Sequence, residues 1–351
     1  RNRTTEVLRL LKEGMSANEV AQTLAISFGD VVAIVSFKSG LTSDQARAVL
    51  KLSEENHSLW HISKELSISD EVIRDFVPNS SDAKIAYVPP FIYSFKKQSS
   101  ELFKTFLASG ADLSYTVANH TFLDGSIWCE TPEGKLFILG GFTKEDTASH
   151  DVVSIDPSNE FSVKTEPIMK TARGSFGIVY HRKFFYVVGG ALNLNRTNSI
   201  GECERYDLEQ EKWESFCPLP QACSGTSLIA FEYTQCIYAF GGYAGELLNT
   251  IQRLTLGSLN WDVMFLKMPV ADSFICAFRF QSYKIFFVAG DSLFAFVPAA
   301  NLIKRVKQLD RLVSSINGSS YYSNCTIYSS NNAGAAAKCE VGSLKFSEKA
   351  Y

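Results

Sequence analysis

The sequence predicts a mainly β fold, a propeller of five blades, preceded by a small all-α domain. Three observations predict it. Apolar runs ending on glycine recur as "KLFILGG" (135–141), "KFFYVVGG" (183–190), "CIYAFGG" (236–242) and "KIFFVAG" (284–290). Their last glycines lie 49, 52 and 48 residues apart, and a period near ~50 with strands inside each unit marks a radial array of β blades. The first 80 residues lack the phrase and carry a different repeat, offset by 42 residues.

The runs before the glycines do not alternate apolar with polar, so both faces of each strand must be covered. Inner strands of a propeller blade meet that condition because neighbouring blades flank them. Gly140 and Gly141, Gly189 and Gly190, Gly241 and Gly242 then permit positive φ and a close approach of the next chain segment. The fourth repeat keeps Gly290 but has Ala289 in place of its first glycine. Downstream come spaced pairs, Ile155 with Phe161, Tyr206 with Trp213, Leu254 with Trp261 and Phe296 with Ile303, each around a polar, turn-like segment. Each pair predicts a hairpin of outer strands. Tyr206, Trp213 and Trp261 are expected to fill the gaps between blades.

The second repeat, "GSFGIVYHRKFFYVVGG" with "ECERYDLEQEKWESFCPLP", resembles a kelch repeat in its double glycine, its Tyr206 before the turn and its Trp213 after it. The next unit is similar, with Leu254 in place of the tyrosine. The resemblance covers residues 85–350 and implies a kelch-type propeller at 91–351. "FIYSFKKQSSELFKTFLAS" (91–109) matches an outer hairpin, Tyr93 standing where Tyr206 stands and Phe103 near the tryptophan position. The inner strands of that blade are expected from "YYSNCTIYSS" (321–330) and "KCEVGSLKF" (338–346), which would close the ring at five blades. The alternative is a sixth blade within 295–345.

Residues 1–77 predict two three-helix units. "LRLLKEGMSANEVAQTLAIS" (8–27) aligns with "LKLSEENHSLWHISKELSIS" (50–69), so that Val20 meets Ile62, Leu24 meets Leu66 and Ile26 meets Ile68. Ser16 followed by Glu19 reads as a capping box. The pattern resembles tandem helix-turn-helix units of DNA readers. A DNA reader needs a basic third helix, yet "FGDVVAIV" carries Asp30 and no base, and residues 1–77 hold nine Lys or Arg against eleven Asp or Glu. A polyanion is repelled by such a surface, so nucleic acid is not an expected partner. Residues 78–90, "PNSSDAKIAYVPP", hold three of the ten prolines and read as a linker. A short linker of this kind limits how far the helical arm swings, which suits a part bridging neighbours in an assembly.

The net charge of −3 gives no pull toward anionic lipid or nucleic acid, and no apolar run approaches the ~18 residues of a spanning helix. Membrane is therefore not an expected partner. The eight cysteines form no CxxC and no compact framework, which favours a reducing, cytoplasmic setting. Five histidines are scattered. His57 and His61 share a helical face without a third ligand nearby, and His150 with Asp151, Glu145 and Asp146 borders one loop. No metal, cofactor or catalytic residue is expected.

The resemblance implies protein binding without catalysis. Loops at 142–150, 191–202 and 243–249 would face one side of the ring, presenting Lys144, Glu145, Arg196 and Glu246. Similar phrasing in kelch-motif proteins of single-celled eukaryotes implies a structural component of a cytoskeletal or ciliary assembly, with tubulin or its neighbours as partners. A second reading is a substrate-recognition adaptor of a ubiquitin ligase, although residues 1–80 match neither a BTB nor an F-box segment. A third is an enzyme like galactose oxidase. That chemistry needs histidines among its ligands, and none follows His181.

Overall fold

The computed structural model describes residues 3–12, 15–54, 59–77, 91–106, 109, 111–131, 134–231, 234–281, 284–309, 320–323, 326–329 and 337–340. They fall into a helical unit and a β unit. The helical unit holds α1 (Arg3–Lys12), α2 (Ala17–Thr23), α3 (Phe28–Ser39), α4 (Ser43–Glu54), α5 (Leu59–Leu66) and α6 (Asp70–Ile73), two sets of three. Capping boxes open three of these helices. Ser16 accepts from the Glu19 N–H at 3.1 Å while Glu19 accepts from the Ser16 N–H at 2.8 Å. Ser27 with Asp30 and Thr42 with Gln45 repeat the exchange. Each box satisfies N–H groups that the first helical turn cannot.

Asp30 is thus a cap, and its bonds from Ser27 hold its carboxyl below the usual carboxylate range. The aligned residues Val20 and Ile62 are both wholly buried, packed with Val31, Val35, Ile73 and Phe76. The expected linker at 78–90, and His57, lie outside the described residues.

The β unit is a five-bladed propeller. The first blade has three strands, β1 (Phe91–Phe95), β2 (Glu101–Phe106) and β3 (Asp112–Thr116). The second is β4 (Ile127–Glu130), β5 (Leu136–Leu139), β6 (Val152–Asp156) and β7 (Ser162–Glu166). The third is β8 (Gly177–His181), β9 (Phe184–Val188), β10 (Cys203–Asp207) and β11 (Lys212–Phe216). The fourth is β12 (Ser227–Phe231), β13 (Cys236–Phe240), β14 (Ile251–Thr255) and β15 (Asn260–Val263). The fifth is β16 (Cys276–Gln281), β17 (Lys284–Ala289), β18 (Ser292–Val297) and β19 (Leu302–Gln308). A further three-stranded sheet joins β20 (Ser320–Ser323), β21 (Thr326–Ser329) and β22 (Ala337–Glu340). All pairing is antiparallel and sequential. Ring closure by C-terminal strands falls in part on residues 310–319, 324–325, 330–336 and 341–351, which lie outside the described residues.

The glycine pairs explain themselves at this level. After β9, Gly189 (φ 63°) and Gly190 (φ 111°) turn the chain, and the Gly190 N–H donates to the Cys223 carbonyl of the next loop at 2.9 Å. A Cβ on Gly189 would collide with that same carbonyl. Gly141 with Arg173 and Gly242 with Asp272 make the same bond, each at 2.9 Å. The double glycine is the joint through which each blade grips the segment leading to the next.

Two sequence expectations need correction. Residues 91–109 do not end as a two-stranded outer hairpin, because β3 follows and pairs with β2. Tyr93 sits opposite Lys104 on the buried β1, and Phe103 opposite Ser94. β3 is mostly exposed, so its polar sequence lacks an apolar face that would mark it as a strand. In the second blade Ile155 pairs with Val163, not with Phe161. Glu160 and Phe161 both take positive φ in a turn one residue longer than that of the third blade. The Phe161 ring nonetheless reaches the preceding blade, 4.4 Å from the Tyr115 ring.

Candidate protein-interaction face

In each four-stranded blade the connection between the second and third strands, and the connection out to the next blade, leave from the same end of the strands. These two sets of loops therefore build one face of the ring. Three of the inner connections are long and tied to one another. The Asp146 carboxylate accepts from the Leu194 N–H at 2.6 Å, joining residues 142–150 to 191–202. Ser199 donates to the Tyr243 carbonyl at 3.0 Å, joining 191–202 to 243–249. The fifth blade has no such loop, since Ala289 pairs directly with Ser292 across a two-residue turn at Gly290 and Asp291.

Beneath the loops runs a backbone chain from blade to blade. Ser175 N–H donates to the Gly125 carbonyl at 2.8 Å, Gly225 N–H to Ser175 at 2.6 Å and Phe274 N–H to Gly225 at 2.7 Å. All four residues take positive φ. Their spacing of 50, 50 and 49 is a second register of the repeat. Reading the sequence for glycine pairs passes over it, because serine and phenylalanine occupy two of the positions.

The third blade adds a buried ion pair. Arg173 and Glu204 are 0 % and 1 % exposed, and their side chains meet at 2.8 Å. Arg173 also donates to the carbonyls of Gly189 (2.6 Å) and Glu202 (2.7 Å), while Glu204 accepts from the N–H groups of Lys170 and Thr171. Burial lowers the Arg173 pKa and Glu204 opposes that shift. One blade on, Gln252 holds the corresponding place and clamps Gln221 through N–H and carbonyl. Partners separated by 31 residues, with one in a turn-like stretch, leave no sequence signal.

Of the loop residues singled out in the sequence, Lys144, Glu145 and Glu246 are exposed. Arg196 differs. Its half-buried guanidinium lies over the Tyr243 and Phe274 rings at 4.7 and 4.9 Å and donates to Ser273 at 3.4 Å. Burial lowers its pKa, and the two ring faces offset part of the lost hydration. The loops of this face also carry Ile168, Leu192, Leu194, Leu247, Phe265 and Val270, six of the nine exposed large apolar residues among those described. Phe265 is fully exposed. Sequence reasoning missed these, because a single apolar residue in a loop has no periodicity. Among the described residues no three His, Cys, Asp or Glu side chains are grouped to hold a metal. No single described helix is long and apolar enough to cross a membrane. Among the described residues Cys129, Cys203, Cys217 and Cys223 form no disulfide, and burial pushes the Cys129, Cys203 and Cys223 thiols up to about 12.

Over 216 residues the chain is 29% identical to Kelch-like protein 40 of Xenopus laevis, covering 61% of this chain and 30% of that protein. It is 31% identical to Kelch-like protein 40 of Mus musculus over 160 residues, 43% of this chain and 24% of that one. A kelch repeat-containing protein of Dictyostelium discoideum is 27% identical over 146 residues, 39% of this chain and 21% of its own. The matched part thus spans about a third or less of each relative. No family model matches the chain. The chain is a kelch-repeat β-propeller with N-terminal helices.

Proposed function

We propose that this protein is a non-catalytic interaction component of a larger cytoplasmic assembly, cytoskeletal or ciliary, and that a protein partner docks on the loop face. One observation carries the reading: six of the nine exposed large apolar residues among those described lie in the loops of that face. Contiguous exposed apolar surface with a polar rim is how protein-docking sites present themselves. The rim here is mixed, with Lys144, Lys170, Lys267, Glu145 and Glu246 exposed, so shape and apolar contact outweigh net charge in choosing the partner. The cytoskeletal placement rests on the resemblance of the repeats to kelch-motif proteins of single-celled eukaryotes.

The test is a pair of variants, Leu194→Asp and Phe265→Asp, purified under native conditions beside the wild-type chain. Both positions are exposed, so stability is expected to change by no more than ~0.5 kcal/mol. Recovery of the partner is expected to fall at least about tenfold, because a charge desolvated at an apolar contact costs more than ~1.4 kcal/mol. Full recovery by both folded variants would refute docking on this face. Tubulin among the recovered proteins supports the cytoskeletal reading, whereas a cullin would replace it with the ubiquitin-ligase one.

A further inference from the structure

At the opposite end of the strands from the loop face, a cleft of about 480 Å³ opens between the second and third blades. Phe137, Tyr180 and Leu208 give it apolar walls, and Lys135, Glu166 and Tyr206 also line it. Its carboxylates are already engaged. Glu166, buried, accepts from the Ser154 hydroxyl at 2.6 Å and from Lys164 at 3.1 Å. Lys164 also holds Glu211 at 3.4 Å, and Lys183 holds Glu209 at 2.8 Å and Asp207 at 3.0 Å.

The donors, by contrast, are not all spent. Tyr206 is 1 % exposed, and its hydroxyl has no hydrogen-bond partner among the described residues. Burial, with the nearby Glu166 and Glu211 charges, raises the phenol pKa, so the group stays protonated and can give its proton to an acceptor. A buried hydroxyl without a partner is costly and rare in folded proteins. Lys135 is exposed at the same cleft, and no carboxylate among the described residues lies within ion-pair distance of it. Aromatic walls with an excess of donors describe a site for a flat ring that carries acceptor oxygens.

We infer that this interblade cleft binds a small planar aromatic anion, a carboxylate or phosphate, whose oxygens accept from Tyr206 and pair with Lys135. The Lys164–Glu211 pair lies across the entrance, and both side chains are about three-fifths exposed, at 61% and 60%. Exposed pairs of this kind are weak and open readily, which gives the ligand access to the hydroxyl. The volume falls within the range of small-molecule clefts, ~300–1,000 Å³.

The test titrates phenyl phosphate and benzoate into the full chain, with inorganic phosphate as the comparison. Trp213 reports the result by fluorescence, since its ring lies 5.0 Å from that of Tyr206. Saturable binding of at least one aromatic anion is expected, with inorganic phosphate much weaker. Tyr206→Phe is expected to weaken binding roughly ten- to hundredfold, the range for one hydrogen bond to a charged group, while its thermal midpoint stays level or rises. Lys135→Gln, outside the packed core, is expected to weaken binding as well. Equal affinity in wild type and Tyr206→Phe, equal binding of inorganic phosphate, or no saturation at millimolar concentrations would each overturn the assignment.

Discussion

Replacing Trp213 with alanine is expected to destabilise the ring by about 3–5 kcal/mol, the range for removing a large buried aromatic. Trp213 is 5 % exposed and sits directly opposite Tyr206 in the register of β10 and β11. It belongs to one buried cluster with Phe137 of the second blade and Phe185 of the third. Its indole N–H also donates to the Pro167 carbonyl at 2.8 Å, in the loop that leaves the second blade. The substitution therefore opens a cavity and removes the hydrogen bond to Pro167 at one stroke. Urea unfolding followed by circular dichroism measures the loss as a lower midpoint at unchanged slope. A midpoint equal to wild type would mean that Trp213 does not join the blades.

The second large effect belongs to Arg173. Arg173→Leu leaves the Glu204 carboxylate buried without its cation, a change expected to cost about 3–5 kcal/mol. Two backbone N–H groups still bond Glu204, so the carboxylate keeps part of its solvation. The double variant Arg173→Leu/Glu204→Leu removes the stranded charge and is expected to recover part of the loss. Such a cycle isolates the coupling between neighbours. A double variant no more stable than Arg173→Leu alone would show that the arginine acts through the Gly189 and Glu202 carbonyls and not through the ion pair.

These residues show where sequence reasoning reached and where it stopped. The blades were legible because the strand ending on Gly189 and Gly190 recurs at a fixed period, and strict local geometry needs glycine there. The two helical sets were legible from Val20 aligning with Ile62, both of which prove to be core. The first blade was read only in part, since exposed β3 has no apolar face to mark it. The turn at Glu160 and Phe161 moves the partner of Ile155 two residues on, from Phe161 to Val163, a shift that spacing alone does not fix. Arg173 with Glu204, and Arg196 over Tyr243 and Phe274, join side chains far apart in the sequence. Such contacts depend on tertiary approach, which no local pattern encodes. The apolar loop residues are invisible for the same reason, since their meaning lies in being neighbours on one face.

The docking claim meets its most direct test in lysine-specific cross-linking of the native assembly, read by mass spectrometry. Exposed Lys144, Lys170 and Lys267 lie in the loops of the proposed docking face. Lys135, Lys183 and Lys212 lie at the other end of the blades, beside the turns. Docking on the loop face predicts that links from the ring to its partner come from Lys144, Lys170 and Lys267. Links confined to Lys135, Lys183 and Lys212, with the loop lysines unlinked, would contradict it.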